Sequence, residues 1–358
     1  MKSGLFLALA ACLWMGCQSP PPTAGPVTTA TLDSLRQVYR VPGVQVCRFR
    51  QDRVLGRLAS GLRDMRHEAP VTDHTRFEAA SLSKPVFAYL LTRLAEAGHL
   101  PPDWLRRPLC EWIDTDQPFA PAREPRYRGL DQYLSFRPDY SRTPFCQMTA
   151  QQLLTHQSGM GDWWDAQPTR RFAPGCRFRY SDDGYLLLQR VVEAHLDTPL
   201  QALLQQHLPD FLAAMRSFSA ATLRGAVAHG HQTEGQYQRD IWRSQEALAH
   251  GTLLCSAQAY AAFMQHLSRE QRFPPQRDMA RVAEGLYWAR GWGVDCSSPD
   301  TVYWHWGNDT YFQHFACYAP QRDLGLVIMT NSQNGLKLIE ALFPRLWGEP
   351  IEAVHWCQ

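Results

Sequence analysis

Ser81 and Lys84 are the residues whose types and spacing could support covalent chemistry. They stand three positions apart at the predicted start of a helix, and residues at this spacing share one helix face. A serine hydroxyl is a weak nucleophile until a base takes its proton, and a lysine amine can do so only when it is uncharged. The helix N-terminus adds backbone N–H groups that favour a developing oxyanion. Alone, the spacing is a weak signal, because a capping serine beside a surface lysine looks the same.

The elements that must position this pair can be read from hydrophobic spacing. A helix is predicted from Ser83 to Ala97, because apolar side chains recur there at helical intervals and Gly98 follows. Two β-rich runs before it, 44–49 and 54–59, are separated by four polar residues and predict a hairpin. Further strands are predicted at 291–295, 302–307, 311–319 and 324–331. Further helices are predicted at 149–156, 184–196, 199–208, 256–267 and 336–347.

Strands therefore lie near both ends of the chain and helices lie in its middle. Sequential strands favour an antiparallel sheet, and we expect the N-terminal hairpin to join it. The predicted fold class is α+β: an antiparallel sheet flanked by helices, plus an all-helical subdomain. The sheet subdomain is assigned to residues 31–80 and 248–358, and the mainly helical subdomain to residues 81–247, as one catalytic unit. Residues 109–144 lack periodicity and predict a long loop.

Two later segments make the signal at Ser81 specific. Tyr180-Ser181-Asp182 follows about a hundred residues on, and His305-Trp306-Gly307 lies in a predicted strand. In this order the motifs resemble the serine β-lactamase and penicillin-binding-protein superfamily. The closer resemblance is to its class C-like branch, which includes class C β-lactamases, D-alanyl-D-alanine carboxypeptidases, D-aminopeptidases and carboxylesterases. It extends from about residue 31 to residue 346.

The resemblance implies a role for each catalytic position. Ser81 would be the acylated nucleophile, Lys84 its partner, and Tyr180 the group that shuttles a proton to the leaving group. His305 stands where many members carry the lysine of a Lys-Thr-Gly strand, although esterases and D-aminopeptidases of the branch often have histidine there.

The resemblance also implies an oxyanion hole. It would be formed by the backbone N–H groups of Ser81 and of a residue just after Gly307, for which we take Asp309. Gly307 suits this place because a strand position without a side chain lets the substrate backbone approach closely.

Two residues depart from the family pattern at substrate-binding positions. Asp182 replaces the usual asparagine, so an ionised group that only accepts hydrogen bonds stands where an amide donor is usual. A carboxylate there would also favour the charged form of Lys84 and shift proton transfer to Tyr180. Trp306 replaces a hydroxyl or small residue, and neutral His305 recognises a substrate carboxylate less well than lysine. Both changes argue against a tight β-lactamase or carboxypeptidase site.

The predicted activity is a serine hydrolase that acts through an acyl-enzyme on Ser81, with an esterase or peptidase of small substrates as first choice. The alternatives are a β-lactamase or D-alanyl-D-alanine carboxypeptidase and, because of Asp182, a non-hydrolytic penicillin-binding sensor or inert scaffold. The expected partners are small ester, amide or D-amino-acid peptide substrates. No organic cofactor or metal is expected, since His231 and His314 lack partners at ligand spacing.

His156 and five tryptophans have more than one interpretation. His156 is expected to be a structural loop residue rather than a catalytic group. Five tryptophans could line an apolar pocket for an acyl or sugar group, or could simply pack in the core: Trp163, Trp164, Trp292, Trp304 and Trp306. Alternation along a strand places Trp304 and Trp306 on the same face.

The N-terminus carries an export signal. Lys2, the apolar run 5–15 and Gly16 are typical of a signal peptide over residues 1–16. A small residue directly before Cys17 resembles a bacterial lipoprotein signal, which implies that Cys17 is lipidated and anchors the protein in the cell envelope. A plain secretory signal with an incidental cysteine is the alternative. Residues 17–30 are rich in proline and threonine and predict a tether.

Composition excludes several classes of protein. The 358 residues are 45% apolar and 20% charged, so disordered and disulfide-scaffold classes are excluded. Lys and Arg total 36 against 34 Asp and Glu, too even a balance for nucleic-acid binding driven by bulk charge. No apolar run reaches the roughly 20 residues of a bilayer span. Among the cysteines, Cys296 and Cys317 could face each other, with buried free thiols as the alternative.

Overall fold

The computed structural model describes residues 27–112, 148–160, 172–218, 225–232, 237–239 and 246–356. The predicted signal peptide and Cys17 lie outside the described residues, as do most of the tether and of the predicted loop 109–144. Trp163 and Trp164 lie outside them too. Among the described helices, none is both long and apolar enough to cross a membrane.

A nine-stranded antiparallel sheet organises the described part of the chain. Its strands are β1 (Gly43–Phe49), β2 (Val54–Asp64), β3 (Ala69–Pro70), β8 (Ala280–Ala283), β9 (Leu286–Ala289), β10 (Trp292–Asp295), β11 (Val302–Asn308), β12 (Gln313–Ala319) and β13 (Leu324–Thr330). Their order across the sheet is β3-β2-β1-β13-β12-β11-β10-β9-β8. Thus the N-terminal hairpin joins the C-terminal strands, as predicted, through the register from Val44 opposite Thr330 to Phe49 opposite Gly325.

Two small pairs of strands lie outside this sheet. They are β4 (Phe77–Glu78) with β7 (Leu254–Cys255), and β5 (Gly230–Gln232) with β6 (Tyr237–Arg239). Strand β4 stands just before Ser81 in the chain, so its pairing with β7 holds the segment that leads into the motif.

The described helices are α1 (Thr29–Val38), α2 (Ser83–Glu96), α3 (Ala150–Leu154), α4 (Asp182–Leu196), α5 (Leu200–His207), α6 (Ala257–Arg269), α7 (Gly335–Trp347) and α8 (Glu352–His355). Four of these eight helices, α1, α3, α4 and α6, begin with a side-chain cap. Thr149 forms a capping box with Gln152 at α3, and Ser181 and Ser256 accept backbone N–H groups at the starts of α4 and α6.

The two faces of the sheet bury separate apolar clusters. One cluster joins the sheet to α2 and α6, and the other joins it to α7. Alternation along β11 places Tyr303 in the first cluster and both Trp304 and Trp306 in the second, as predicted for the two tryptophans. By the same alternation, His305 belongs to the face that carries α2.

The predicted fold class is confirmed, and the differences are local. The short strands β8 and β9 were not predicted, because four-residue strands with mixed burial leave no clear period. The prediction that Cys296 and Cys317 could face each other is wrong. Cys317 is buried on the α7 side of the sheet, whereas Cys296 packs against the other cluster, and both are free thiols. The division into sheet and helical subdomains stays a prediction.

Candidate active site

Ser81 lies in a 3₁₀ turn, Ala80–Leu82, that leads directly into α2. The turn is held by Ser83, whose hydroxyl donates to Ala80 O at 2.7 Å and accepts from Leu253 N–H at 3.0 Å. Ala80 has φ of +48°, in the left-handed region that costs a non-glycine residue energy, and such strain concentrates at functional sites. Ser81 itself is partly exposed while Ser83 is fully buried. Ser81 is therefore the hydroxyl that a substrate can reach.

Lys84 is fully buried and its ammonium group is surrounded by three oxygen atoms. Nζ lies 2.8 Å from Ser81 Oγ, 2.5 Å from Asp182 Oδ1 and 3.0 Å from the carbonyl oxygen of His250. It also stands 4.9 Å from the centroid of the Tyr180 ring. The predicted pairing of Ser81 with Lys84 is thus a direct hydrogen bond, in which Nζ donates to the Ser81 hydroxyl oxygen.

Asp182 occupies the first turn of α4, where the helix dipole favours a negative charge. Burial alone would raise the pKa of its carboxyl, but the Lys84 ammonium, with a smaller effect of His250, holds that pKa below its ordinary value. Asp182 is therefore ionised at neutral pH. An ionised partner at 2.5 Å favours the ammonium form of Lys84, as predicted from the sequence.

Tyr180 lies between Lys84 and a group of aromatic rings. Its ring stacks on His156 with centroids 4.2 Å apart and meets Trp288 edge to face at 5.6 Å. The Trp356 ring lies 6.5 Å away. Tyr180 as a whole is partly exposed, although its ring is held by this packing.

His305 is buried on β11, with its ring centroid 6.4 Å from that of Tyr180. Nδ1 lies 2.6 Å from Trp306 O, so this nitrogen carries the proton and Nε2 is left as an acceptor. Nε2 has no hydrogen-bond partner among the described residues. Burial, aided by the Lys84 charge, lowers the pKa of His305 to about 3. His305 therefore presents a neutral acceptor, not a cation.

Gly307 lies against the turn that carries Ser81. A Cβ atom there would stand 2.5 Å from the carbonyl oxygen of Ala79, so only glycine allows this approach. Asp309, our expected oxyanion residue, needs correction. Its backbone N–H donates to Phe312 O at 3.2 Å, and its carboxylate accepts from Phe312 N–H at 2.8 Å, so it closes a turn. Asn308, the residue directly after Gly307 on β11, takes its place as the candidate.

Trp306 does not enter the site, which corrects the expectation that its bulk would meet a substrate. Its indole packs on Phe315 at 4.6 Å, and Nε1 donates to Ala353 O at 2.8 Å, on the face that carries α7. Trp304 is fully buried in the same cluster, and Trp292 packs on Phe273 at 5.3 Å. These three tryptophans are core residues.

The sequence did not reveal three residues that contact the motif residues: His250, Trp288 and Trp356. His250 supplies a carbonyl to Lys84, and burial lowers the pKa of its imidazole to about 4. Trp288 comes from the short strand β9, next to the edge of the sheet, and Trp356 from the C-terminal segment. None of the three stands in a motif or in a periodic run, so only the long-range contacts of the fold could have identified them.

The described residues contain no group of three or more histidine, cysteine, aspartate or glutamate side chains arranged to hold a metal ion. The two histidines considered as ligands are engaged elsewhere. His231 bonds Asn331 O at 3.0 Å through Nδ1, and His314 bonds Glu78 O at 2.8 Å through Nε2.

The order of the motifs, now joined in one site, agrees with a comparison against protein-family models. The β-lactamase family model matches residues 28–345. The chain belongs to the β-lactamase family. This confirms the family that the motifs around Ser81, Tyr180 and His305 predicted.

Individual relatives are distant from this β-lactamase-family chain. Esterase EstB of Burkholderia gladioli is 29% identical over 134 residues, which span 37% of this chain and only 28% of that enzyme. A penicillin-binding protein homologue from Pyrococcus abyssi superposes with a TM-score of 0.69 at 17% identity, over 90% of this chain and 78% of that one. The D-alanine carboxypeptidase AmpC from Burkholderia cenocepacia gives 0.65 at 18% identity, over 88% and 95%. At these identities the structures establish the fold alone.

Proposed function

We propose that this chain is a serine hydrolase that acts through an acyl-enzyme on Ser81. The observation that carries the proposal is the buried Lys84 ammonium, which joins the accessible Ser81 hydroxyl to the Asp182 carboxylate at 2.8 and 2.5 Å. A surface lysine beside a capping serine would show neither the burial nor the second partner. Membership in the β-lactamase family supports the same assignment.

The proposed reaction begins when the Ser81 hydroxyl attacks the substrate carbonyl and its proton passes to Tyr180. Tyr180 takes this role because Lys84 is held as an ammonium by Asp182 and cannot accept a proton. The same ammonium, 4.9 Å from the Tyr180 ring, favours the phenolate. The backbone N–H groups of Ser81 and Asn308 stabilise the oxyanion. Tyr180 then protonates the leaving group, and water releases the acyl group from Ser81.

The proposed substrates are small esters. Asp182 offers a substrate amide no hydrogen-bond donor, and neutral His305 offers a substrate carboxylate no fixed charge. An ester needs less help than an amide, because an alkoxide leaves more readily than an amine that must first be protonated. The similarity to Esterase EstB supports this choice. A β-lactamase or D-alanyl-D-alanine carboxypeptidase is the second candidate, supported by the fold shared with the carboxypeptidase AmpC.

A hydrolysis panel of p-nitrophenyl esters, D-amino-acid amides and nitrocefin tests the proposal. We expect the highest kcat/KM with the esters and covalent labelling of Ser81 by a fluorophosphonate probe. Faster turnover of nitrocefin would favour the second candidate, and faster turnover of D-amino-acid amides a peptidase. Stable labelling by penicillin without turnover would indicate a penicillin-binding sensor, and the absence of labelling by either probe an inert scaffold.

We also propose that the protein is exported and anchored in the bacterial envelope by a lipid on Cys17. The basic start, the apolar run 5–15 and the Gly16–Cys17 junction support it. Cys17→Ser should abolish incorporation of radiolabelled palmitate and release the protein from membranes. Cys12→Ser, which changes the cysteine inside the apolar run, is the matched control and should keep both. Palmitate on the Cys17→Ser variant would refute the anchor.

A further inference from the structure

His156 binds the chain on both sides of Tyr180. Its carbonyl oxygen accepts the Arg179 N–H at 2.8 Å, and its Nδ1 accepts the Ser181 N–H at 3.0 Å. Between these two bonds its ring stacks on the Tyr180 ring, with centroids 4.2 Å apart and planes inclined by 26°. Three successive residues centred on the phenol therefore rest on one fully buried side chain and its backbone.

We propose that His156 is a positioning residue for acyl transfer, fixing the Tyr180 phenol relative to the Lys84 ammonium and the Ser81 hydroxyl. The inference rests on the proposed serine hydrolase function and deepens it. The contacts given above join His156 to Arg179, Tyr180 and Ser181, so in this proposal it acts mainly through the Tyr180 phenol.

The requirements of the position select histidine. His156 has φ of +55°, a left-handed conformation that asparagine, aspartate and histidine tolerate better than other non-glycine residues. The position also needs an acceptor close to Cβ for the Ser181 N–H and a flat ring for Tyr180. Asparagine supplies the first and phenylalanine the second, but neither supplies both.

His156 stays neutral, which its contacts require. Burial, together with the positive charge of Lys84, holds the pKa of its imidazole well below the ordinary range. An imidazolium carries a proton on each nitrogen and could not accept the Ser181 N–H. A cation at this point would also repel Lys84. These contacts of His156 with the segment around Tyr180 therefore persist at neutral pH.

The contacts of His156 also support the helix that carries Asp182. The Ser181 N–H donates to Nδ1 of His156. The Ser181 hydroxyl accepts the Gly184 N–H at 3.2 Å and so caps α4. Loss of the acceptor at position 156 would release one anchor of this cap. The phenol and the carboxylate that flank Lys84 thus share one support.

Kinetics with a p-nitrophenyl ester test the proposal on His156→Phe, His156→Asn, Tyr180→Phe and the double variant of His156→Phe with Tyr180→Phe. Phenylalanine keeps a ring but loses the acceptor, and asparagine places Oδ1 as many bonds from Cβ as Nδ1. Since misplacement of a reacting group by about 1 Å costs about 10²-fold, we expect His156→Phe to lower kcat by about that factor with KM nearly unchanged. His156→Asn should retain about ten times more activity than His156→Phe, by keeping the Ser181 bond.

The double variant separates positioning from general support of the fold. If His156 acts through Tyr180, His156→Phe should cost less than about threefold once Tyr180 is phenylalanine. An equal loss in both backgrounds would overturn the proposal, as would an unchanged kcat. Loss of cooperative unfolding in both His156 variants would also overturn it, by making His156 a residue of the fold. A wild-type protein that neither turns over esters nor takes fluorophosphonate would instead refute the proposed function.

Discussion

The two sides of the candidate site differ in how they treat charge. On the side of α2 and α4, Lys84 and Asp182 form a buried ion pair with atoms 2.5 Å apart. On the side of β11, His305 is neutral, and so is His156, whose ring stacks on that of Tyr180. Tyr180 lies near both: the Lys84 ammonium is 4.9 Å from its ring centroid, and the His156 and His305 ring centroids are 4.2 and 6.4 Å away.

The difference arises because burial and the Lys84 charge oppose each other at the anion and add together at the histidines. Burial would raise the pKa of Asp182, but Lys84 outweighs it and keeps the carboxylate ionised. Burial is the larger cause that lowers the pKa of His156 and of His305, and the Lys84 charge lowers both further. The β11 side of the site therefore offers an uncharged acceptor at His305 rather than a fixed positive charge.

The largest expected effect comes from removing the nucleophile on the charged side. Ser81→Ala should lower kcat/KM for esters by at least about a thousandfold, because loss of a nucleophilic serine removes the covalent route. It should also abolish fluorophosphonate labelling. Ser83→Ala is the matched control, since Ser83 is buried and supports the turn. That variant should unfold at a lower temperature yet keep labelling; labelling that is lost in Ser83→Ala and kept in Ser81→Ala would exchange their roles.

Asp182→Asn should break the charge asymmetry itself. It restores a donor to a substrate amide and removes the anion that holds Lys84 charged. The amide-to-ester ratio of kcat/KM should rise about tenfold, the worth of one good hydrogen bond. The ammonium also becomes easier to deprotonate, and the mechanism needs it charged, so the basic limb of the pH profile of kcat/KM should move to lower pH.

The neighbouring residue provides a matched control for Asp182→Asn. Burial raises the pKa of Asp183 to about 8, so its carboxyl is already largely neutral at pH 7. Asp183→Asn should therefore leave the substrate ratio unchanged. A ratio that stays constant in Asp182→Asn as well would remove the reason for preferring an esterase.

His305→Lys would place a positive charge on the β11 side of the site, which is neutral in the wild type. A lysine there could pair with a substrate carboxylate, and a charge-assisted hydrogen bond is worth about tenfold in binding. KM for nitrocefin should fall by about that factor, while KM for an uncharged ester should not. His305→Gln, which stays neutral, is the control and should lower neither. An equal fall for both substrates would show that pocket size rather than charge had changed.

The sequence predicted the charged side better than the neutral side, for a physical reason. Ser81 and Lys84 are three residues apart on one helix, so local spacing alone brings them together. Asp182 was predicted through its motif, and its placement at the start of α4 follows from the Ser181 cap. The neutral side is assembled from separate strands, a loop and the C-terminal segment. Trp288 and Trp356 leave no local signal there.

Side-chain alternation along β11 predicted only part of the arrangement at this strand. It predicted that Trp304 and Trp306 share a face but not which face meets the site, because β11 is buried on both faces and carries large side chains on both. Asp309 shows the same limit at a strand end. The oxyanion residue depends on where β11 stops and its turn begins, and element boundaries are fixed by cross-strand pairing with β12 that one sequence does not display.

The smallest expected effect is on stability, and it separates the two sides by pH. His305 has a folded pKa of about 3, below its ordinary value, so below about pH 6.5 the unfolded chain binds a proton that the folded chain does not. The free energy of unfolding should therefore fall as the pH falls, and His305 alone contributes about 1 kcal/mol between pH 6.5 and 5.5. Asp182 also has a lowered pKa, but its contribution is lost only near and below about pH 4.

Urea unfolding at pH 6.5, 5.5 and 4 tests this difference. Between pH 6.5 and 5.5 the free energy of unfolding should fall less in His305→Gln than in the wild type, and as much in Asp182→Asn as in the wild type. If the slope between pH 6.5 and 5.5 is the same in His305→Gln as in the wild type, His305 titrates normally in the folded protein, and the neutral side of the comparison is wrong.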